Sequence, residues 1–172
     1  LNPKIYAVIL SNRNKSHNIQ MRKLNFEEID LLIVNFYPFN KILETTKNPK
    51  KIIENIDIGG PSMARAGAKN FENVTVISSV RNYEMLRNEL LKNNGCTTLY
   101  FRKEMADETF LNTCFYDSSI SKYFNKIFKN NFPDNKIISG VKYEDLRYGE
   151  NPHQRAAIYL TDKDKQIIKL SG

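Results

Sequence analysis

Apolar residues fall in short blocks separated by polar stretches, and the spacing within each block predicts the element it forms. Ile5–Leu10 is a short apolar run, read as a strand or a buried turn, and Ser11–Asn25 is polar and reads as a loop or an exposed helix. Asp30–Asn35 is apolar without alternation, which predicts a strand buried on both faces, as in a parallel sheet. Tyr37-Pro38 ends it, because proline cannot donate to the ladder. Ile52, Ile53 and Ile56 have helical spacing, so Pro49–Asn55 reads as a helix with proline near its start. Gly59-Gly60 then breaks the chain, and Pro61 opens a helix over Ser62–Asn70. Its small residues Ala64, Ala66, Gly67 and Ala68 allow close packing.

Val74–Ser78 predicts a second buried strand. Tyr83, Leu86 and Leu90 mark an amphipathic helix ending near Asn93-Asn94-Gly95, where glycine suits the C-cap. Met105, Thr109, Thr113, Tyr116, Ile120, Tyr123 and Ile127 recur every three or four residues and predict a long helix over Arg102–Phe128. Pro133–Lys142 is polar and reads as a linker. Beyond it, Ala156–Leu160 and Gln166–Leu170 read as paired strands with a turn at Asp162–Lys165. Strand–helix–strand–helix order to about residue 100 argues a layered α/β sheet with helices on its faces.

Composition narrows this little. The 172 residues suit one domain, or one domain plus part of another. With 41% hydrophobic and 26% charged residues the chain resembles an ordinary globular protein. Its longest apolar run, Leu31–Val34, falls far short of the roughly 20 residues of a membrane helix, so no membrane partner is expected. Cys96 and Cys114 lack metal-ligand spacing and read as reduced thiols, which suits a cytoplasmic location. The net charge of +7 suits nucleic acid, an anionic membrane or a phosphorylated small molecule. Apart from Lys47–Lys51 the basic residues are scattered, as on solvated faces, so charge selects none of these partners. The chain begins Leu1-Asn2-Pro3 and ends Ser171-Gly172 just after a strand-like run, and it is read as a partial sequence.

Chemistry is expected beyond the carboxyl ends of the strands. Asn35-Phe36-Tyr37-Pro38-Phe39 follows the first strand. Asn35 offers an amide that donates and accepts, and Tyr37 a hydroxyl. Taken alone, the segment also reads as a strand-ending turn with two core aromatics. Ile56-Asp57-Ile58-Gly59-Gly60-Pro61-Ser62 puts two glycines before a helix, where free N–H groups favour an anion or a polar oxygen. Asp57 there either binds substrate or simply caps the helix. Lys69 stands eight residues past Pro61, about 12 Å along a helix, so sharing a site with Asp57 requires the chain to fold back or the helix to start late. Asn112-Thr113, Tyr116-Asp117 and Ile120 form a helix face read as structural. Arg147–Gln154 packs a cation, a phenol, an amide and an imidazole around a glycine and a proline, as ligand-binding loops do. His153 has no second histidine or cysteine nearby for a metal.

Three of these motifs occur together and in this order in one family: Asn35–Phe39, Ile56–Pro61 followed by Arg65 and Ala68-Lys69-Asn70, and Leu146–Gln154. The chain resembles the bifunctional purine-biosynthesis enzymes that join AICAR formyltransferase to IMP cyclohydrolase. Thr113, Tyr116-Asp117, Ile120 and Tyr123 match that family's long helix. The resemblance implies a methylglyoxal-synthase-like α/β/α domain with a mostly parallel sheet, here partial, over residues 1–135. It further implies a linker over 136–145 and the opening of a formyltransferase domain over 146–172. It implies that Tyr37 stabilises a developing oxyanion, Lys69 acts in proton transfer, and Asp57 orients the amide and Lys69. Asn35, Phe36, Ile58, Gly59 and Gly60 would line the nucleotide pocket, and Arg147 and Tyr148 would hold the formyltransferase substrate. No metal or bound cofactor is implied for ring closure, 10-formyltetrahydrofolate is the implied co-substrate of formyl transfer, and a homodimer is the family habit.

Where the family reads Lys-Thr-Leu-His-Pro and then His-Gly-Gly, this chain has Asn2, Tyr6 and Ala7-Val8, so the phosphate-binding turns are expected before Leu1. Two other readings remain open: a non-catalytic fragment that folds only with a partner chain, and a basic nucleic-acid-binding module, which no interleaving of aromatic and basic residues supports.

Overall fold

Asn2 and Pro3 make the first apolar run helical. The Asn2 side chain accepts the Lys4 N–H at 2.9 Å, and Pro3 supplies a first helical residue that has no N–H to satisfy. The result is α1 (Pro3–Ile9), where a strand or buried turn was expected. The structure, a computed structural model, describes residues 2–130 and 132–161 and the backbone of 166–171. The turn expected at Asp162–Lys165 lies outside the described residues. The chain divides into two units, Leu1–Ile120 and Ser121–Gly172.

In the first unit, α2 (Lys15–Lys23) occupies the stretch read as loop or exposed helix, capped by Asn14 on the His17 N–H at 2.8 Å. β1 (Leu31–Ile33) and β2 (Thr75–Ile77) pair in parallel, with Leu32 opposite Val76. β2 is buried throughout, as expected, but β1 is not: Leu31 is 37% and Ile33 47% exposed. The physical reason is that Ala64, Gly67 and Ala68 of α5 and Ala106 pack on the face of β1 that carries Leu32, and Leu31 and Ile33 point to the other face.

Between the strands run α3 (Phe39–Thr45), α4 (Pro49–Glu54) and α5 (Gly59–Lys69). α5 begins at Gly59 rather than at Ser62, because the Asp57 carboxylate accepts the Gly60 N–H at 2.8 Å and starts the helix early. The small residues do bring α5 close to the sheet. Ala64 and Ala68 are fully buried with Val76 and Ala106, and a Cβ on Gly67 would stand 2.9 Å from Leu32. At the other end of α5, the Asn70 amide donates to the carbonyls of Ile9 and Ser11, both at 2.7 Å, and so ties α5 to the end of α1.

After β2 come a short 3-10 turn at Val80–Asn82 and then α6 (Tyr83–Lys92). Asn94 and Gly95 both have positive φ, and the Gly95 N–H donates to the Leu90 carbonyl at 2.8 Å, a Schellman ending. The long helix α7 spans Leu99–Ile127, starting three residues before the expected Arg102. Its start is set by Thr98, whose hydroxyl accepts the Phe101 N–H. Phe101 and Met105 pack on Ile77 and Leu86, while Ala106 joins the cluster under β1 and β2.

The second unit holds the last residues of α7 and a three-stranded antiparallel sheet: β3 (Val141–Leu146), β4 (Ala156–Thr161) and β5 (Gln166–Ser171), in that order. β4 and β5 fall where paired strands were expected. β3 runs through residues 141–145 of the stretch read as linker. Its pairing with β4 is interrupted by a bulge between Lys142 and Glu144, and its side chains are mostly exposed, so it lacks the clean alternation that marks a strand. Among the described residues no helix is long and apolar enough to cross a membrane.

Candidate functional site

β1 and β2 run in parallel, so both carboxyl ends open on the same edge, where the loops after them face the middle of α7. A cleft of about 380 Å³ lies there. The loop Asn35–Phe39 forms one wall, Ser78 after β2 the floor, and Asn112 and Tyr116 of α7 the opposite wall. The floor is polar and hydrogen-bonded: the Ser78 hydroxyl pairs with Thr109 at 3.1 Å and accepts the Asn112 amide N–H at 2.9 Å.

Asp57 stands at the border of this cleft, held at three points. Its own N–H donates to the Tyr116 hydroxyl at 2.8 Å. Its carboxylate accepts the Gly60 N–H through Oδ1 and the Tyr37 N–H, at 3.3 Å, through Oδ2. The loop after β1 and the start of α5 are thereby joined through one carboxylate. Gly60 is buried because its missing side chain leaves room for that group: a Cβ would lie 2.5 Å from Oδ2. Tyr37 carries its side chain largely in solvent, 57% exposed, at the cleft mouth. Asn35 also lines the cleft, and its amide donates to the Tyr83 hydroxyl at 2.8 Å.

Phe36 and Phe39 turn inward and meet the Tyr116 ring edge-on, with centroids 5.6 and 6.3 Å away. Tyr116 itself is buried. Burial pushes its phenol above the ordinary tyrosine value, with the negative charges of Asp57 and Asp117 adding to the shift and the hydrogen bond from the Asp57 backbone opposing it.

The remaining residues expected in the site lie elsewhere. Ile58 and Gly59 sit at the start of α5 outside the cleft lining, with Ile58 exposed. Lys69 is the last residue of α5 and exposed, about 13 Å along the helix axis from Gly60. The early start of α5 therefore lengthens the separation between Asp57 and Lys69. Arg147 and Tyr148 belong to the second unit, in the exposed loop after β3. That loop is closed by backbone bonds between Gly149 and Gln154 at 2.8 Å and between Gln154 and Asn151 at 3.0 Å.

Ser78, Asn112 and Tyr116 were not read as site residues. For Ser78 a signal existed, because it ends β2 just as Asn35 follows β1. For Asn112 and Tyr116 the helical spacing signalled only packing. Among the described residues no three His, Cys, Asp or Glu side chains gather to hold a metal ion.

Known proteins resemble this chain closely. The bifunctional purine biosynthesis protein PurH of Elusimicrobium minutum is 39% identical over 175 residues, covering all of this chain and 34% of that protein. The PurH of Rippkaea orientalis is 44% identical over 169 residues, 94% of this chain and 32% of that one. The chain thus spans about a third of the length of these curated relatives. Among solved structures, the crystal structure of ForH superposes with a TM-score of 0.62 at 27% identity, covering 72% of this chain and 65% of that one. The sequence profile of the AICARFT/IMPCHase bienzyme matches residues 67–172, from the last turn of α5 through the second unit, and the chain belongs to that family of enzymes.

Proposed function

We propose that this chain supplies the acid–base part of a cyclohydrolase site, which closes a formamido-imidazole-carboxamide ribonucleotide to inosine monophosphate. In the longer protein, ring closure would be coupled to formyl transfer from 10-formyltetrahydrofolate to AICAR. The observation that carries this reading is the Tyr37–Asp57 contact at the mouth of the cleft, in a chain of the bienzyme family.

Ring closure forms a bond between the carboxamide nitrogen and the formyl carbon. The formyl oxygen leaves as water, taking one proton from the carboxamide nitrogen and one from the formamido nitrogen. The step needs the amide held against the formyl carbon, a donor aimed at the oxygen as it gains charge, and groups that move protons. Asp57 is suited to orient the amide, because three hydrogen bonds fix its backbone and carboxylate. Tyr37 presents a hydroxyl donor at the cleft mouth for the developing oxyanion. Asn35 and Phe36 contact the nucleotide from the same loop, with Ile58, Gly59 and Gly60 beside Asp57.

Lys69 enters as the proton-transfer group on its motif, Ala68-Lys69-Asn70, and reaches the site only if the bound state brings its side chain in from the far end of α5. Arg147 and Tyr148 are assigned to the formyltransferase substrate. The methylglyoxal-synthase-like layering of residues 1–135, the formyltransferase start at 146–172, the homodimer and the cytoplasmic location belong to the same proposal.

The test is ring closure by the full-length protein. Lys69→Ala should lower turnover about 10²- to 10⁴-fold, the usual weight of general acid–base catalysis. Unchanged turnover removes Lys69 from the mechanism, and a wild-type protein without ring closure overturns the proposal.

A further inference from the structure

From α7, Tyr116 reaches both segments that meet at Asp57. Its ring lies edge-on to Phe36 and Phe39, from the loop after β1, and its hydroxyl accepts the N–H of Asp57, from the segment before α5. The same two segments are joined by the 3.3 Å bond from the Tyr37 N–H to the Asp57 carboxylate, which is long for an N–H···O bond. Tyr116 stands on a fixed base, since the preceding turn of α7 is bonded to the end of β2 through Asn112 and Thr109 on Ser78.

A phenylalanine would fill the same space without a hydroxyl to satisfy in a buried position. The hydroxyl is spent on the backbone of Asp57, where it sets the direction from which the carboxylate reaches Gly60 and Tyr37. A tyrosine phenol is already protonated near neutrality, and burial moves it further in that direction, so its oxygen is a neutral acceptor for that N–H.

We propose that Tyr116 is a positioning residue for ring closure: its hydroxyl holds the Asp57 backbone and its ring holds the Phe36–Phe39 loop, so that α7 fixes the distance between the carboxylate and the Tyr37 donor. This rests on the cyclohydrolase reading above.

The test is Tyr116→Phe in the full-length protein, which keeps the ring and removes the one hydrogen bond. Expected are a kcat for ring closure lowered about tenfold, the net weight of roughly one hydrogen bond, with KM changed less than about twofold. Amide exchange at Asp57 should rise by a similar factor, while exchange at the buried amides of β2 stays as in the wild type. A kcat equal to that of the wild type overturns the proposal, whether exchange at Asp57 rises or not. So does a loss of activity accompanied by faster exchange across β2, which marks a purely structural role. Adding Tyr116→Leu, which loses ring and hydroxyl together, should raise KM as well, because the Phe36–Phe39 wall then loosens. An unaltered KM in that variant overturns the part assigned to the ring. A wild-type protein that closes no ring overturns the functional reading itself, an outcome distinct from all of these.

Discussion

Gly60 decides where the Asp57 carboxylate can sit. A methyl group there would come within 2.5 Å of Oδ2, 3.1 Å of Cγ and 3.2 Å of Oδ1, so the carboxylate of Gly60→Ala has to leave its bonds to Gly60 and Tyr37. The substitution itself favours the helix by about 0.5–1 kcal/mol, because alanine is the better former, and this offsets part of the lost cap. Gly60→Ala is therefore expected to melt within a few degrees of the wild type while ring closure falls about 10-fold or more, the weight of one or two hydrogen bonds. Circular-dichroism melting together with steady-state turnover checks both halves, and full activity in a folded variant removes Asp57 from the mechanism. The Gly59-Gly60 pair was legible in the sequence as a helix entry whose free N–H groups favour an anion or a polar oxygen. That the approaching group is a side chain of the same chain was not legible, since it depends on Asp57 turning back over the first turn of α5.

At the scale of elements, helix ends carry much of the organisation. α2, α6 and α7 all end with a residue of positive φ: Asn25, Asn94 and Lys129. In each case the next N–H reaches back to the third-last helical carbonyl: Phe26 to Met21, Gly95 to Leu90 and Asn130 to Asn125. Asn94-Gly95 announces this ending in the sequence, because both residues tolerate the left-handed region, whereas Lys129 gives no such signal.

The start of α7 is held by Glu89 of α6, whose carboxylate accepts both the N–H and the hydroxyl of Thr98 at 2.7 Å. Those two bonds hold the carboxyl below the ordinary glutamate value of 4.5, with Lys92 and Asn93 helping. A lowered folded-state value stabilises the fold above the unfolded value and loses that contribution as pH falls through the folded one. The α6–α7 junction is thus expected to keep its stability down to about pH 4.5 and to weaken below it. Glu89→Gln should flatten this acid limb of the melting-temperature profile, and an unchanged limb would show that the Thr98 bonds do not survive in solution.

At the scale of the whole molecule, the two units carry the residues proposed for the two successive reactions, Tyr37, Asp57 and Lys69 in the first and Arg147 and Tyr148 in the second. Substitutions should then separate. Arg147→Ala is expected to weaken formyl transfer by about 10- to 100-fold, the weight of a charge-assisted hydrogen bond, and to leave ring closure intact, while Tyr37→Phe does the reverse. Parallel assays of both activities in the full-length protein decide this, and equal loss of both in either variant contradicts the division. By itself the sequence determined the strands at β1 and β2, the helices α4, α5, α6 and α7, and the family, since periodicity and ordered motifs are local or linear properties of the chain. It misread α1, because a six-residue apolar run fits either period until a cap such as Asn2 selects one, and it took β1 as buried on both faces. Only the tertiary structure decided which residues share the cleft. It joined Asp57 to Tyr37, brought Ser78, Asn112 and Tyr116 beside them, and left Lys69 at the opposite end of α5. Those distances follow from how α7 and α5 pack on the two strands, and such contacts between residues far apart in the chain leave no periodic trace in it.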